Sequence, residues 1–301
     1  MSMPSSRFLR VERRGDLELC IVDHPRARAL LTSQGAQLLA FTPTGEKPVV
    51  WLSEEAAFQQ GSSVRGGTPV CAPWFGDLAK NPEAVRAGYT GSQAPAHGLV
   101  RGVPWSLEAV EEDDTGVRVR FLLESSSPAL RDWAAPLVLR VEYTIGRELH
   151  ARLRVSAPER PTTVSLALHT YLAVSDVGEV DVSGFEGVPF RDAIDDWHEK
   201  VESSPVRFAG EVDRVYEGVS RASVVHDRGW ARRVVVEHEN ARSAVLWNPH
   251  VAKTARLSQM KPDGWRGMLC IETANVLGDA RHLEAGESHA LGVRVAVEAG
   301  V

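Results

Sequence analysis

At five well-separated places this chain alternates apolar and charged or small side chains with a period of two: Leu17-Glu18-Leu19, Val117 to Phe121, Leu139 to Tyr143, Leu153-Arg154-Val155 and Val293 to Val297. A β-strand turns successive side chains to opposite faces, so each stretch offers one apolar face to a core and, in most cases, Arg or Glu to water. Turn-forming clusters fall between such stretches: Glu112 to Gly116, Ile145-Gly146-Arg147 and Asp227-Arg228-Gly229. Their spacing is that of antiparallel strands. No stretch shows the period of a long amphipathic helix, and no strand-helix alternation suggests a parallel sheet. Short helices are expected only at Ser53 to Phe58, where Ser53 is placed to cap, and near Pro128 to Trp133. The pattern predicts an all-β fold, a large antiparallel β-sandwich with few short helices.

At 301 residues with 43% hydrophobic content, the chain can bury a sizeable core. Neither a linker nor a repeat divides it, which predicts a single domain over residues 1–301. A net charge of −6 and the lack of a basic run argue against nucleic acid as a partner. Cys20, Cys71 and Cys270 are an odd number without Cys-x-x-Cys spacing, which supports neither a disulfide framework nor a zinc site. The arginine-bearing N-terminus has no apolar core of an export signal, and no run is long and apolar enough to span a membrane. A cytoplasmic monomer is the expectation.

The densest chemistry lies between Val64 and Arg101, which opens V-R-G-G-T-P-V-C-A-P-W-F-G-D and closes A-P-A-H-G-L-V-R. Glycines after Arg65 let backbone approach a ligand, and Trp74 and Phe75 are placed to lie flat against a sugar ring. Arg65, Arg101 and His97 suit an anionic, hydroxyl-rich small molecule, because guanidinium binds phosphate bidentately and stays charged. A sugar phosphate is the natural candidate. Loops as long as Gly61 to Pro95 are commonly functional or disordered, and this one is rich in motifs.

Two apolar strands each end in an ionisable group. Ser165 to Asp176 delivers His169, and Gly267 to Asn275 delivers Glu272. A rigid strand is a good mount for a general acid or base, and desolvation there raises a carboxyl toward the working range of a base. Each residue also has a plain reading: His169 as a buried imidazole satisfied by backbone, Glu272 as a carboxylate paired with an arginine. Asp213 is a candidate for sugar hydroxyls, and Trp247 with Asn248 for an apolar face and an amide. Ordinary ion-pair and turn chemistry explains those three equally well. The chain has no dinucleotide glycine motif, P-loop or complete His-Glu-x-x-His. His198-Glu199 and His238-Glu239 begin that last pattern without finishing it.

Seven ordered segments together resemble the hexose-6-phosphate mutarotases (glucose-6-phosphate 1-epimerases) of the aldose 1-epimerase superfamily: Val-Arg-Gly-Gly-Thr-Pro at 64–69, Pro-Trp-Phe-Gly at 73–76, His-Gly-Leu-Val-Arg at 97–101, Leu-His-Thr-Tyr at 168–171, Asp-Arg-Val-Tyr at 213–216, Trp-Asn-Pro at 247–249 and Cys-Ile-Glu-Thr-Ala at 270–274. The resemblance implies a sandwich of galactose-mutarotase type. It also implies His169 and Glu272 as the catalytic pair, Arg65 and Arg101 on phosphate, and His97 and Asp213 on sugar oxygens. Departures are Leu172-Ala173, His250, and Gln259 where an acidic residue is expected; they bear on substrate preference. The implied reaction interconverts α and β anomers. Glu272 would take the O1 proton while protonated His169 donates to the ring oxygen, with no metal or cofactor required. The alternative is a carbohydrate-binding β-sandwich without turnover. A glycosidase would need a second carboxylate, and only Glu272 is persuasive.

Overall fold

The computed structural model describes residues 6–300. The expected domain bounds at 1 and 301, and the first residues of the N-terminal reading, lie outside the described residues. Two large antiparallel sheets face each other. The eight-stranded sheet runs, in spatial order, Val180–Ser183, Ser223–Asp227, Arg232–Glu239, Ser288–Ala299, Leu149–Ser156, Val138–Ile145, Val117–Leu123 and Ser106–Glu112. The seven-stranded sheet runs His198–Lys200, Phe190–Asp192, Val212–Glu217, Ser243–Asn248, Met268–Asn275, Leu166–Ala173 and Val70–Cys71. A four-stranded N-terminal meander from Leu9 to Pro43 extends beside the second sheet, tied to it through bridges Phe41–Val50 and Val50–Leu172. This is the β-sandwich that the alternating pattern predicts.

The core forms where the two apolar faces meet. Val117, Val119 and Phe121 join Leu139, Val141 and Tyr143 from the eight-stranded sheet, while Arg118, Arg120 and Glu142 point the other way into a ladder of ion pairs. From the seven-stranded sheet come Leu166, Leu168 and Leu172, with Leu269, Ile271, Ala244 and Leu246. These central strands differ from the outer ones, because every residue of Leu166–Ala173 and of Met268–Asn275 is buried. Their second face is covered too, by the loops that follow Val64 and Thr254. Burial on both faces makes a strand read as a near-continuous apolar run rather than an alternation.

Two expectations need correction. Ser53 to Phe58 is not a helix: Ser53 Oγ accepts from the Glu55 amide and Ser53 O from the Ala56 amide, but the turn stops there. The next residues are instead pinned by long-range bonds, with the Ala57 amide donating to Gln259 Oε1. At Pro128 the expected helix is a single 3-10 turn, Pro128–Leu130. The described α-helices are Glu83–Arg86 and His250–Thr254.

Candidate active site

The outward face of the seven-stranded sheet is where the candidate residues meet, and register explains how. Leu166–Ala173 and Met268–Asn275 pair antiparallel with His169 directly opposite Glu272 and Tyr171 opposite Cys270. The His169 amide donates to Pro69 O on its other neighbour, so the His169–Glu272 pair lacks mutual backbone bonds. That is the closer of the two antiparallel pair types. His169 Nε2 and Glu272 Oε1 come to 3.3 Å, with the side chains 9% and 2% exposed. Both residues sit in mid-strand rather than at the strand ends, because the ladder continues to Ala173 and Asn275. Among the described residues, Glu272 Oε2 and His169 Nδ1 have no hydrogen-bond partner. Among the described residues, Glu272 has no arginine within ion-pair distance and His169 Nδ1 has no backbone partner, which counts against both plain readings.

Burial sets the protonation of this pair. Desolvation holds His169 well below the ordinary histidine range, with neighbouring His97, Arg101 and Arg65 acting in the same direction. Desolvation and, next, Asp213 lift Glu272 well above the ordinary carboxylate range. Both shifts favour the uncharged form of the group concerned. The low-dielectric floor disfavours a charge on either group when no ligand is bound.

Around the pair, His169 stacks on Tyr171 with ring centroids 4.8 Å apart and meets the Trp247 ring edge-on at 6.1 Å. Trp247 in turn lies opposite Asp213 across the neighbouring ladder. Asp213 is desolvated, which raises its carboxyl, while Lys253 stands 3.6 Å away and opposes the shift. His97 reaches over from its loop to 5.5 Å from the His169 ring. Its backbone is left-handed at φ 65°, and its amide is held by Gly76 O at 2.8 Å. Nδ1 of His97 accepts from the Gly76 amide, and burial pushes the imidazole down to about 3. His97 is therefore a neutral ring with Nε2 free to donate.

Arg65 donates through Nε to Ser258 O and through Nη1 to the Tyr171 hydroxyl at 3.4 Å. Behind it, Gly66 and Gly67 adopt φ 109° and 71°, and a Cβ on Gly67 would meet Leu38 O at 2.2 Å, so only glycine fits this turn. Arg101 is folded back by a 2.7 Å bond from Nη2 to Ala96 O. Among the described residues neither guanidinium has a carboxylate within ion-pair distance, although ion pairs are abundant elsewhere. Two half-buried cations converge on a pair of imidazoles without a counterion.

Trp74 does not join them. Its ring is fully buried, bonded through the indole nitrogen to Pro95 O and packed on Tyr89 and Trp133. Successive residues of an extended chain face opposite ways, so only Phe75 of the two aromatics reaches the site, edge-on to His97 at 4.9 Å. Phe75 with Trp197, His97 and Asp213 lines a cavity of about 210 Å³ beside the pair; His169 and Glu272 are not in its lining. Tyr171 and Cys270 also face the couple and were not among the sequence candidates, while Gln259 was noted there only as a departure. Period two from His169 and from Glu272 would have found the first two.

Comparison with known proteins agrees with this geometry. Residues 18–296 match the aldose 1-epimerase family. A Salmonella typhimurium protein named "Putative glucose-6-phosphate 1-epimerase" is 36% identical over 259 residues, 86% of this chain and 83% of that protein. The Escherichia coli protein of the same name is 36% identical over 260 residues, with the same coverage. A Salmonella typhimurium structure titled as a mutarotase, YeaD, superposes with a TM-score of 0.87 at 32% identity, over 98% of this chain and 95% of that one. Galactose 1-epimerase from Lactobacillus acidophilus shares the fold alone, with a TM-score of 0.71 at 16% identity. A family match across nearly the whole chain and relatives named for anomeric chemistry converge: the chain is an isomerase and belongs to the aldose 1-epimerase family.

Proposed function

We propose that the chain interconverts the α and β anomers of a hexose 6-phosphate, with glucose 6-phosphate as its substrate. The observation that carries this reading is the placement of two carboxylate-free arginines near the buried His169–Glu272 couple, close enough to act on its charge. Anomerisation needs one proton removed from O1, one delivered to the ring oxygen, rotation about C1–C2 and the reverse transfers on closure. A couple holding one proton suffices, and no electron moves, so no cofactor or metal is needed.

Phosphate on Arg65 and Arg101 would cancel part of the field that suppresses the imidazolium. The shared proton then passes from Glu272 to His169 across 3.3 Å. From that form Glu272 takes the O1 proton and His169 protonates the ring oxygen. His97 and Asp213 hold sugar oxygens, and Trp247 and Phe75 offer apolar edges. A binder without turnover would gain nothing from burying an unpaired carboxyl beside an imidazole, which costs stability.

The residues proposed for the site all lie in this chain, and the working unit proposed is a monomer. All three cysteines are buried and unpaired, which suits a reducing compartment such as the cytoplasm. Among the described residues no helix is long and apolar enough to cross a membrane. The partner proposed is a small-molecule sugar phosphate, with neither nucleic acid nor membrane. The test is polarimetry or NMR saturation transfer on freshly dissolved α-glucose 6-phosphate. Binding without faster exchange would return the chain to the carbohydrate-binding reading.

A further inference from the structure

The acid–base couple has a third neighbour that the reaction does not use. Cys270 lies two residues before Glu272 along Met268–Asn275, so the two side chains share a face, and His169 faces Glu272 from the adjacent strand. One donor atom from each of His169, Cys270 and Glu272 lies within 4.8 Å of the others, all in buried positions. We propose that these three side chains form a chelating site for a zinc-class divalent cation, which arrests the enzyme reversibly by occupying its proton-transfer pair.

The geometry is close to what such a cation requires. With metal–ligand bonds of about 2.0 to 2.3 Å, donors of a tetrahedral site stand about 3.3 to 3.8 Å apart. The His169 Nε2 to Glu272 Oε1 separation of 3.3 Å is already one such edge. Closing the sulfur to the same range takes a shift of roughly 1 Å, within reach of side-chain rotation. Glu272 Oε2 is buried and unpartnered among the described residues, an oxygen in want of a cation or a donor. The set offers one nitrogen, one sulfur and one oxygen, which selects Zn²⁺ or Co²⁺ over Mg²⁺ or Ca²⁺. Three protein ligands leave a fourth position for water or a sugar hydroxyl.

The same structure argues against a permanently held ion. A metal-bound histidine is normally braced by a hydrogen bond from its other nitrogen, and loss of that brace costs about 10- to 100-fold in affinity. His169 Nδ1 has no such partner among the described residues. The cation should therefore exchange, as an inhibitor does, rather than reside as a cofactor.

Binding can be tested without assuming the reaction. Titration with Co²⁺ alone should give a near-ultraviolet thiolate-to-cobalt charge-transfer band that saturates at one equivalent and disappears when Zn²⁺ is added. The band should be lost in Cys270→Ser and Cys270→Ala, weakened about tenfold or more in His169→Asn, and kept in Cys71→Ser, which removes the other thiol near a histidine. In wild-type turnover assays Zn²⁺ should inhibit, with full recovery on EDTA. Cys270→Ser should raise the half-inhibiting Zn²⁺ concentration about tenfold or more, each protein measured against its own metal-free rate. No band in the wild type, or a band that persists in both folded Cys270 variants, overturns the proposal. The arrest, but not the binding, rests on the proposed catalytic role: a Cys270-dependent band in a protein that leaves sugar phosphates unexchanged would sink the mutarotase reading and leave this site standing.

Discussion

At the scale of single side chains, the opposed shifts of His169 and Glu272 predict the pH dependence of the rate. The working form has one proton on the couple. On the acid side a second proton adds to a couple whose His169 is held below the ordinary histidine range, so activity should persist below the point where a free imidazole would be half protonated. On the basic side the last proton leaves a couple whose Glu272 is raised, and activity falls there. A kcat/KM profile between pH 4 and 10 checks this; an acid limb at the usual histidine value would mean the imidazole is not buried during turnover. Glu272→Gln and His169→Asn should each lower kcat by about 100- to 10,000-fold with little change in phosphate binding. Arg65→Ala and Arg101→Ala should raise KM for glucose 6-phosphate about 10- to 150-fold and disturb free glucose less. Equal losses on both sugars would show that these arginines do not read phosphate. His169 stands out in the sequence by its apolar flanks, whereas His238 lies between Glu237 and Glu239. Partners separate them: His238 is held by Ser223 and Thr273 in the interior, while His169 Nδ1 is left open.

Among elements, the loops after Val64 and after Thr254 depend on each other through Gln259. Its Oε1 accepts from the Ala57 and Arg65 amides, and its Nε2 donates to Ser63 O at 3.0 Å. An acidic residue here would lose the donor and face that carbonyl oxygen with a charge, so the departure noted in the sequence is a structural staple for the Arg65 loop. Gln259→Glu should raise KM for the sugar phosphate several-fold while kcat on saturating substrate changes less; unchanged KM would show that Arg65 is positioned independently. Trp74 and Phe75 divide the same way. Trp74→Ala empties a fully buried site and should cost about 3 to 5 kcal/mol in urea melts, whereas Phe75→Ala should act mainly on KM. The strands were legible because period two needs only local letters. The missing helix at Ser53 was not, because capping chemistry was present but bonds to Gln259, about 200 positions away, took the backbone elsewhere.

Over the whole molecule, one core spans both sheets, so unfolding should be a single cooperative transition. Within it the site is a weak point, since an ionisable carboxyl with a raised pKa stabilises the fold below its unfolded value and loses that contribution as pH rises through its folded one. Glu272→Gln removes that loss, and at neutral pH it should raise Tm by roughly 1 to 3 °C even as it lowers kcat. A lower Tm would mean that the carboxyl is paired in solution. The sandwich, its strand-rich chain and the two catalytic candidates could be read from sequence; which face each side chain occupies could not, because that is decided by pairing between distant strands. The direct opposition of His169 and Glu272 in the ladder has a further meaning. The distance between His169 and Glu272 is gauged by backbone hydrogen bonds, and a one-residue slip of either strand would turn its group into the interior and leave the other alone on the outward face. The other side chains proposed to hold the sugar phosphate, apart from Asp213 and Trp247, stand on loops. Evolution or a designer can thus exchange loops to change which sugar is held, while the chemistry at C1 is inherited unchanged from the weave of the sheet.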